Sequence, residues 1–171
     1  AFVPDRLEAA IDAVAPLRFG ATGEALVAAR WLDGAPAAGL PVKVFVRFDR
    51  ETFAPALFDG AGFAFGTGED VAPPGAVPEI VTALDANGKA RVRFAVPAAA
   101  PGVAALKATL VAEVEDPSGR VATGVKSVTA LRAGGHVGVR TSREGATIAL
   151  AAADGTPRRE AAVPVTVRVE R

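Results

Sequence analysis

The sequence predicts an all-β fold: an antiparallel β-sandwich of seven strands, followed by the first strands of a second, similar domain. Apolar and polar residues alternate with a period of two, which is typical of strands that bury one face. Gly, Pro, Asn and Asp cluster between these segments, as they do in turns. A motif also recurs, because Asp33-Gly34 returns as Asp154-Gly155, 121 positions later. A repeat of that period has the length of one domain.

Seven predicted strands precede residue 133. In chain order, they are centred near Leu7, Leu26, Val44, Ile80, Val92, Leu110 and Val125. At the third of them, three valines between positions 42 and 46 alternate with Lys43 and Arg47, so one face is apolar and the other polar. The alanine-rich segment 24–32 would also suit a helix, but closely spaced turn signals on both sides favour a strand. Short strands with regular turns predict a two-sheet sandwich.

Two of the predicted turns have specific chemistry. The segment 84–89 contains an Asn-Gly pair, which tolerates the positive φ angles of a tight hairpin. The segment 116–119, Asp-Pro-Ser-Gly, fits a type I turn, in which Asp accepts backbone hydrogen bonds and Gly takes the left-handed position. Pro41 and Pro164 each open a predicted strand, where a missing N–H does little harm.

Residues 52–79 interrupt the strand pattern. This stretch is rich in Gly and Pro, and a loop of that length without structure of its own is unusual. It also contains four aromatic residues, Phe53, Phe58, Phe63 and Phe65. We expect the segment to be anchored to the surface of the sandwich through Phe63 and Phe65, and residues 67–78 to be mobile.

The repeat predicts where the domains divide. Residues 1–132 are expected to form a complete sandwich and residues 133–171 the start of a second one, including a clear valine stripe at 163–169. With only about three strands, the second part would leave a sheet edge unpaired. It should therefore pack on the first domain, pair with a neighbouring molecule or stay disordered. The chain thus reads as a piece of a tandem array, which rarely carries an active site of its own.

Composition excludes several classes of function. The chain has 19 Lys and Arg against 19 Asp and Glu, and the balanced charge argues against nucleic acid and against attraction to anionic membranes. It has no cysteine, and so no disulfide, thiol nucleophile or cysteine-bound metal. No apolar run is long enough to span a bilayer, and residues 1–10 do not resemble a signal peptide. The absence of methionine at position 1 predicts that a leader was removed or that the segment was excised.

His136 is the single histidine, and it lies at the predicted domain junction. A catalytic histidine needs a nucleophile and an orienting acid close by in space. Ser118, Ser127 and Ser142 are the serines of the chain, and none lies in a nucleophile-elbow motif. We therefore expect His136 to be an exposed linker residue. One histidine without cysteine cannot supply the ligands of a typical zinc site.

The remaining candidates have simpler structural interpretations. Glu113 and Glu115 point the same way on a strand, about 7 Å apart, as in a glycosidase pair, but we favour the simpler interpretation that they lie on the solvated face of a strand. The segment 85–88 resembles half of a calcium loop but lacks the closing Glu, and a hairpin turn explains it. The Gly pairs around 60–62 and 66–68 have no helix after them to bind phosphate. Arg158-Arg159 lies in a turn. We predict no catalytic, cofactor-binding or metal-binding residue, no cofactor and no enzymatic activity.

Several phrases in this order resemble the bacterial α2-macroglobulin family. The longest is Trp-Leu-Asp-Gly-Ala-Pro-Ala-Ala-Gly-Leu-Pro-Val at 31–42, and Gly-Phe-Ala-Phe-Gly follows it at 62–66. The others are Val-Pro-Asp-Arg-Leu at 3–7, the hairpin at 84–90, the turn at 114–120 and His-Val-Gly-Val-Arg at 136–140. The resemblance implies a stack of macroglobulin-like domains, which are immunoglobulin-like or fibronectin-III-like sandwiches. The first would span residues 1–132 and the second would begin at 133–171.

The resemblance also implies a function. In this family, a protease cleaves a bait segment, the molecule rearranges, and a thioester in a distant domain can tether the protease. The chain would be a scaffold module of such an inhibitor, with neighbouring domains and target proteases as partners. A periplasmic location, with an N-terminal lipid anchor on some relatives, is implied as well. The thioester motif needs a cysteine, which this chain lacks.

Two other functions fit the same strands. A tandem immunoglobulin-like adhesin or surface stalk would need an exposed patch for its partner, and Phe58, Phe63 and Phe65 could form one. A hydrolase accessory domain would use Glu113 and Glu115, and it is the least favoured of the three.

Overall fold

The computed structural model describes residues 7–66, 77–98, 102–132 and 134–159. These residues contain eleven strands and one short 3-10 turn, Ala56–Phe58. The strands are β1 (Leu7–Ala13), β2 (Leu17–Arg18), β3 (Thr22–Trp31), β4 (Pro41–Glu51), β5 (Ala64–Phe65), β6 (Ile80–Ala83), β7 (Lys89–Ala95), β8 (Ala105–Glu115), β9 (Val121–Leu131), β10 (His136–Ser142) and β11 (Gly145–Ala151). Residues 67–76, which make up most of the predicted mobile stretch at 67–78, and the valine stripe at 163–169 lie outside the described residues.

Strands β1 to β4 and β6 to β9 form a two-sheet sandwich. One sheet has the order β1-β3-β7 and the other the order β2-β9-β8-β4-β6. All of these pairs are antiparallel except β2 with β9. Each of the seven predicted positions lies in a strand, so the predicted antiparallel sandwich is confirmed. β2 and β5 were not predicted, because a strand of two residues is too short to show alternation.

The core lies between the two sheets and follows the predicted alternation. On β4, Val42, Val44, Val46 and Phe48 are almost completely buried, and the residues between them face outward. β3 contributes Val27 to the same core from the other sheet. Burial of one such side chain contributes roughly 1.5–3 kcal/mol to stability.

One side of the sandwich closes where β1 meets β9. Gly124 of β9 lies so close to Ala10 of β1 that an added Cβ would stand 2.8 Å from the Ala10 Cα. Asp12 forms a 2.9 Å ion pair with Lys126 across the same contact. The hydrogen bond from Lys126 holds the pKa of the exposed Asp12 carboxyl below its usual value. Only a glycine at position 124 permits this close approach.

The structure repeats its own local geometry 121 positions along the chain. An isolated bridge joins Arg30 to Pro36, and another joins Ala151 to Pro157. In the first turn the Gly34 N–H donates to the Trp31 carbonyl over 2.9 Å, and the corresponding pair in the second turn has the same distance. The predicted repeat is therefore present in three dimensions. We call the described residues 7–132 the first unit and 134–159 the second unit; the domain boundary near residue 132 stays a prediction.

Candidate functional site at the joint between two units

The two units share a sheet. β5, which lies in the aromatic segment of the first unit, pairs antiparallel with β10 of the second unit, and β10 in turn pairs with β11. The register sets Phe65 opposite Gly138 and Ala64 opposite Val139. The described part of the second unit, residues 134–159, packs on the first unit, which is one of the three outcomes expected for it. The pairing also covers an edge of β10 that would otherwise present free N–H and C=O groups.

Aromatic rings fill the contact between the units. Phe65 packs edge to face with Phe53, with ring centroids 5.6 Å apart, and with Phe58, at 5.3 Å. Phe58 makes a similar contact with Phe63 at 5.8 Å, and Phe53 stacks on His136 at 3.8 Å. Such pairs contribute about 0.5–1.5 kcal/mol each beyond the area they bury. We call these five residues, together with the pairing of β5 and β10, the aromatic joint.

The joint corrects one prediction and refines another. His136 is only 6% exposed and begins β10, so it is a buried residue of the joint and not an exposed linker residue. The prediction failed because the flat face of Phe53, far away in the sequence, covers the imidazole. Phe63 and Phe65 do anchor their segment, but not through the surface of the sandwich as predicted. Phe65 pairs with Gly138 of β10 and packs on Phe53 and Phe58, and Phe63 packs on Phe58 and beneath Arg140.

The environment of His136 favours the neutral imidazole. Burial lowers the pKa of His136 below its ordinary value of 6.5, and the nearby positive charge of Arg132 lowers it further. The Nε2 atom is buried and has no hydrogen-bond partner among the described residues. A charge at this position would be desolvated without compensation. The ring is therefore suited to packing as the neutral imidazole and not to carrying the positive charge of the imidazolium.

We expect acid to weaken the joint. The unfolded chain binds a proton at position 136 more readily than the folded joint does. The stability due to the neutral ring is therefore fully present above about pH 6.5 and is lost as the pH falls through the lower, folded pKa. His136→Phe keeps a ring on Phe53 and should flatten this dependence. Thermal unfolding followed from neutral to mildly acid pH tests this, and equal pH dependence in the two proteins would contradict it.

Gly138 and Arg140 follow His136 on β10, and both contact the rings of the aromatic joint. The Phe65 ring lies over Gly138 so closely that a Cβ there would stand 2.7 Å from its Cε1 atom. Arg140 donates a 3.1 Å hydrogen bond to the Ala61 carbonyl, and its guanidinium lies 5.0 Å from the centre of the Phe63 ring. Sequence reasoning missed both roles. A glycine inside a strand marks a close approach, and this signal was available at position 138.

A turn of the second unit makes a further contact with the first unit, beside the aromatic joint. Gly155 lies against Pro55, since an added Cβ would stand 3.0 Å from the proline Cβ. Asp154 accepts hydrogen bonds from the N–H and the hydroxyl of Thr156, at 2.9 and 2.7 Å. These bonds lower the pKa of the Asp154 carboxyl, and the positive charge of Arg18 in the first unit makes a smaller contribution in the same direction. The contact between the two units therefore combines main-chain pairing, ring packing and a weak charge attraction.

Two acidic side chains, Asp85 and Asp116, are engaged in the predicted turns. The Asp85 carboxylate accepts the N–H groups of Asn87 and Lys89, at 2.8 and 2.9 Å, so it closes the predicted turn. The prediction of a hairpin is wrong, because β6 and β7 on either side of this turn belong to different sheets. The Asp116 carboxylate accepts the Ser118 hydroxyl at 2.6 Å and the Arg120 N–H at 3.1 Å. The Ser118 bond is the main cause of a lowered Asp116 pKa. The carboxylates of Asp85 and Asp116 are thus engaged in holding turns.

The remaining candidates are spread over the surface. Glu113 lies on the outer face of β8 between Lys43 and Thr123, and Glu115 lies further along the same face. Ser127 is exposed on β9. Within the described residues, no group of three or more His, Cys, Asp or Glu is placed to hold a metal ion. No helix in that part of the chain is long and apolar enough to cross a membrane.

Residues 5–129 match a family model, the bacterial alpha-2-macroglobulin MG5 domain. The match includes almost all of the first unit and ends before the second. A comparison with curated proteins found no match.

Solved structures with a similar fold come from the same kind of protein. Salmonella alpha-2-macroglobulin reacted with methylamine is 25% identical over 82% of this chain, with a TM-score of 0.66. The native E. coli protein is 17% identical over 92% of this chain, with a TM-score of 0.69. E. coli alpha-2-macroglobulin activated by porcine elastase is 19% identical over 90%, also with a TM-score of 0.69. These matches cover 9%, 11% and 15% of the respective solved chains, so this chain spans a small part of their length.

Proposed function

Because the chain belongs to the family of bacterial alpha-2-macroglobulin MG5 domains, we propose that it is a structural scaffold module of a protease-trapping protein. A module of this kind holds its neighbours in a defined geometry and passes on their movements. The aromatic joint is the observation that carries the proposal. Because β5 of the first unit belongs to the sheet of the second, the second unit cannot rotate alone without breaking the β5–β10 pairs.

Similar proteins support the choice of partner. One E. coli structure is of trypsin-activated alpha-2-macroglobulin, and another is of the protein activated by porcine elastase. We therefore propose that proteases are the targets of the full-length protein and that this chain contributes no enzymatic activity. Since the chain has no cysteine, any thioester belongs to another part of that protein. A periplasmic location is part of the same proposal and rests on the family resemblance.

The adhesin alternative has less support. It required an exposed binding face made by Phe58, Phe63 and Phe65. These rings pack on one another, and Phe65 also lies over Gly138 of β10. Side chains that are already engaged in a joint are poorly placed to bind an external partner. The arrangement favours a scaffold over a binding module.

Protease challenge of the full-length protein tests the proposal. We expect a stable complex with trypsin or elastase and a smaller radius of gyration after cleavage. Phe65→Ala should leave the cleavage rate unchanged and reduce the compaction, because the joint loses its central ring. Gel electrophoresis and small-angle X-ray scattering measure the two effects.

Leu57→Ala is the matched control for this experiment. Leu57 lies in the same segment, but its side chain is largely exposed, so the variant should behave like the unmodified protein. If the full-length protein forms no complex with any protease and does not compact after cleavage, the scaffold role in a trap is wrong. A tandem adhesin would then be the better interpretation.

A further inference from the structure

β7 (Lys89–Ala95) forms an edge of the three-stranded sheet, whose order is β1-β3-β7. At the other edge of this sheet, β1 lies against β9. On the side away from β3, β7 has no neighbour among the strands that the structure describes. Its inward side chains are buried in the core, and its outward side chains are exposed and include three cations, Lys89, Arg91 and Arg93. We call this strand and its unpaired side the β7 edge.

The register of β7 with β3 shows which main-chain groups of the β7 edge lack a partner. Just beyond the strand, the Val96 N–H donates to the Ala21 carbonyl over 2.9 Å. Alternate residues of an antiparallel strand bond to the same neighbour, so the N–H and C=O groups of Arg91 and Arg93 point away from β3. Both main-chain groups of Lys89 are engaged in the preceding turn. The β7 edge therefore offers its donors and acceptors at Arg91 and Arg93.

The outer face of the β7 edge has an excess of positive charge. Arg93 forms a 2.8 Å ion pair with Glu24 of β3, and its side chain remains 72% exposed. Arg91 lies opposite the partly exposed Leu26, so its neighbour on β3 supplies no carboxylate. Within the described ranges, neither Lys89 nor Arg91 forms an ion pair. The exposed cations thus lie beside the unpaired main-chain groups, and a carboxylate from outside the chain can approach both.

We propose that the β7 edge binds an extended segment of another protein, which joins the sheet as a further strand and carries acidic residues at alternate positions. The main chain at Arg91 and Arg93 holds this strand, and its carboxylates lie beside the two guanidinium groups on the outer face. The residues between the carboxylates point inward beside Val92, so they are apolar.

The charge of the β7 edge selects its partner. Charged side chains on an edge strand normally prevent unselective pairing. Those that point outward from β7 all have the same sign, so they repel the β7 edge of a second copy of this chain and attract an acidic strand. The inference does not depend on the proposed role in protease trapping.

Designed peptides test the β7 edge in solution. The peptide acetyl-Thr-Val-Glu-Val-Glu-Val-Thr-amide, added to the isotope-labelled chain, should shift the amide signals of Arg91 and Arg93 and slow their exchange with solvent. The same peptide with both glutamates replaced by lysine should bind at least about tenfold more weakly, because two attractive pairs become repulsive. The isomer with adjacent glutamates keeps the charge but cannot place both carboxylates on one face, so it should also bind more weakly.

A charge reversal in the chain tests the same contact from the other side. Arg91→Glu should weaken binding of the acidic peptide about tenfold and remove most of its advantage over the lysine peptide. Lys107→Glu is the matched control, because it makes the same change of charge at an exposed position on β8 of the other sheet. It should leave binding of the acidic peptide unchanged.

Three results would overturn the strand-binding edge. They are unchanged amide exchange at Arg91 and Arg93 up to about 1 mM acidic peptide, equal binding of the acidic and lysine peptides, or equal binding of the acidic peptide and its isomer. The last result would mean that the chain attracts any acidic peptide without pairing with it as a strand. The peptide comparison needs no change in the chain, so it remains decisive even if Arg91→Glu does not fold. Peptide binding without any protease complex would leave the β7 edge as a binding site and contradict the proposed trap.

Discussion

Gly138→Val is expected to release the second unit from the first while the sandwich stays folded. A Cβ at this position would stand 2.7 Å from the Phe65 ring, so the ring must move away. Phe65 would then lose its contacts with Phe53 and Phe58. Two aromatic pairs and the packing beneath them amount to about 2–4 kcal/mol of local stability. Valine itself favours strands, so the loss cannot be attributed to a poorer strand residue.

Native-state hydrogen exchange measures this effect directly. The amides of β10 should exchange about 30-fold faster or more, while those of β4 and β8 keep their protection. Gly134→Val is the matched control, because a Cβ at Gly134 meets nothing within 4 Å. In the double variant with Phe65→Ala, valine at 138 should cost much less, because the ring it displaces is gone. Unchanged protection of β10 in the single variant would show that the ring does not hold the units together.

Gly88→Ala is expected to destabilise the whole sandwich. Gly88 lies in the turn between β6 and β7, which belong to different sheets, and has a φ of 69°, a left-handed conformation that costs an alanine about 1–2 kcal/mol. An added Cβ would also collide with the Ala29 carbonyl oxygen and stand 2.9 Å from the Ala37 nitrogen. Backbone atoms cannot move aside as a side chain can. The hydrogen bond from the Ala29 N–H to Gly88 would be disturbed too, so we expect a total loss of about 3–5 kcal/mol.

Gly119→Ala separates the two causes of the expected loss at Gly88, which are the left-handed φ and the close approach of backbone atoms. Gly119 has a φ of 82° in a turn of the same chemistry, but a Cβ there meets nothing within 4 Å. The free energy of unfolding of Gly119→Ala should fall only by the cost of the left-handed φ, about 1–2 kcal/mol. Denaturant unfolding of both variants gives the two free energies of unfolding. If the losses are equal, the close approach of Ala29 and Ala37 does not matter and the explanation for Gly88 is wrong.

Much of the fold could be predicted because its signals are local. Alternation along β4 and the turn chemistry at Asp85 and Asp116 involve residues a few positions apart, and the structure confirms these. The 121-residue repeat is also present, since Arg30–Pro36 and Ala151–Pro157 form the same bridge. The aromatic segment was recognised as unusual and as anchored. Its partner was not identified, because nothing within 52–66 specifies which surface its rings will cover.

Local patterns in the sequence establish the all-β class, the positions of seven strands, the turns and the repeat, because periodicity and backbone preference act between neighbours in the chain. The pairing of β5 with β10 and the burial of His136 follow from contacts between distant parts of the chain. Those outcomes depend on shape: a ring at Phe65 meets a strand with no side chain at Gly138. Residues more than seventy positions apart make that contact, and no local pattern records it.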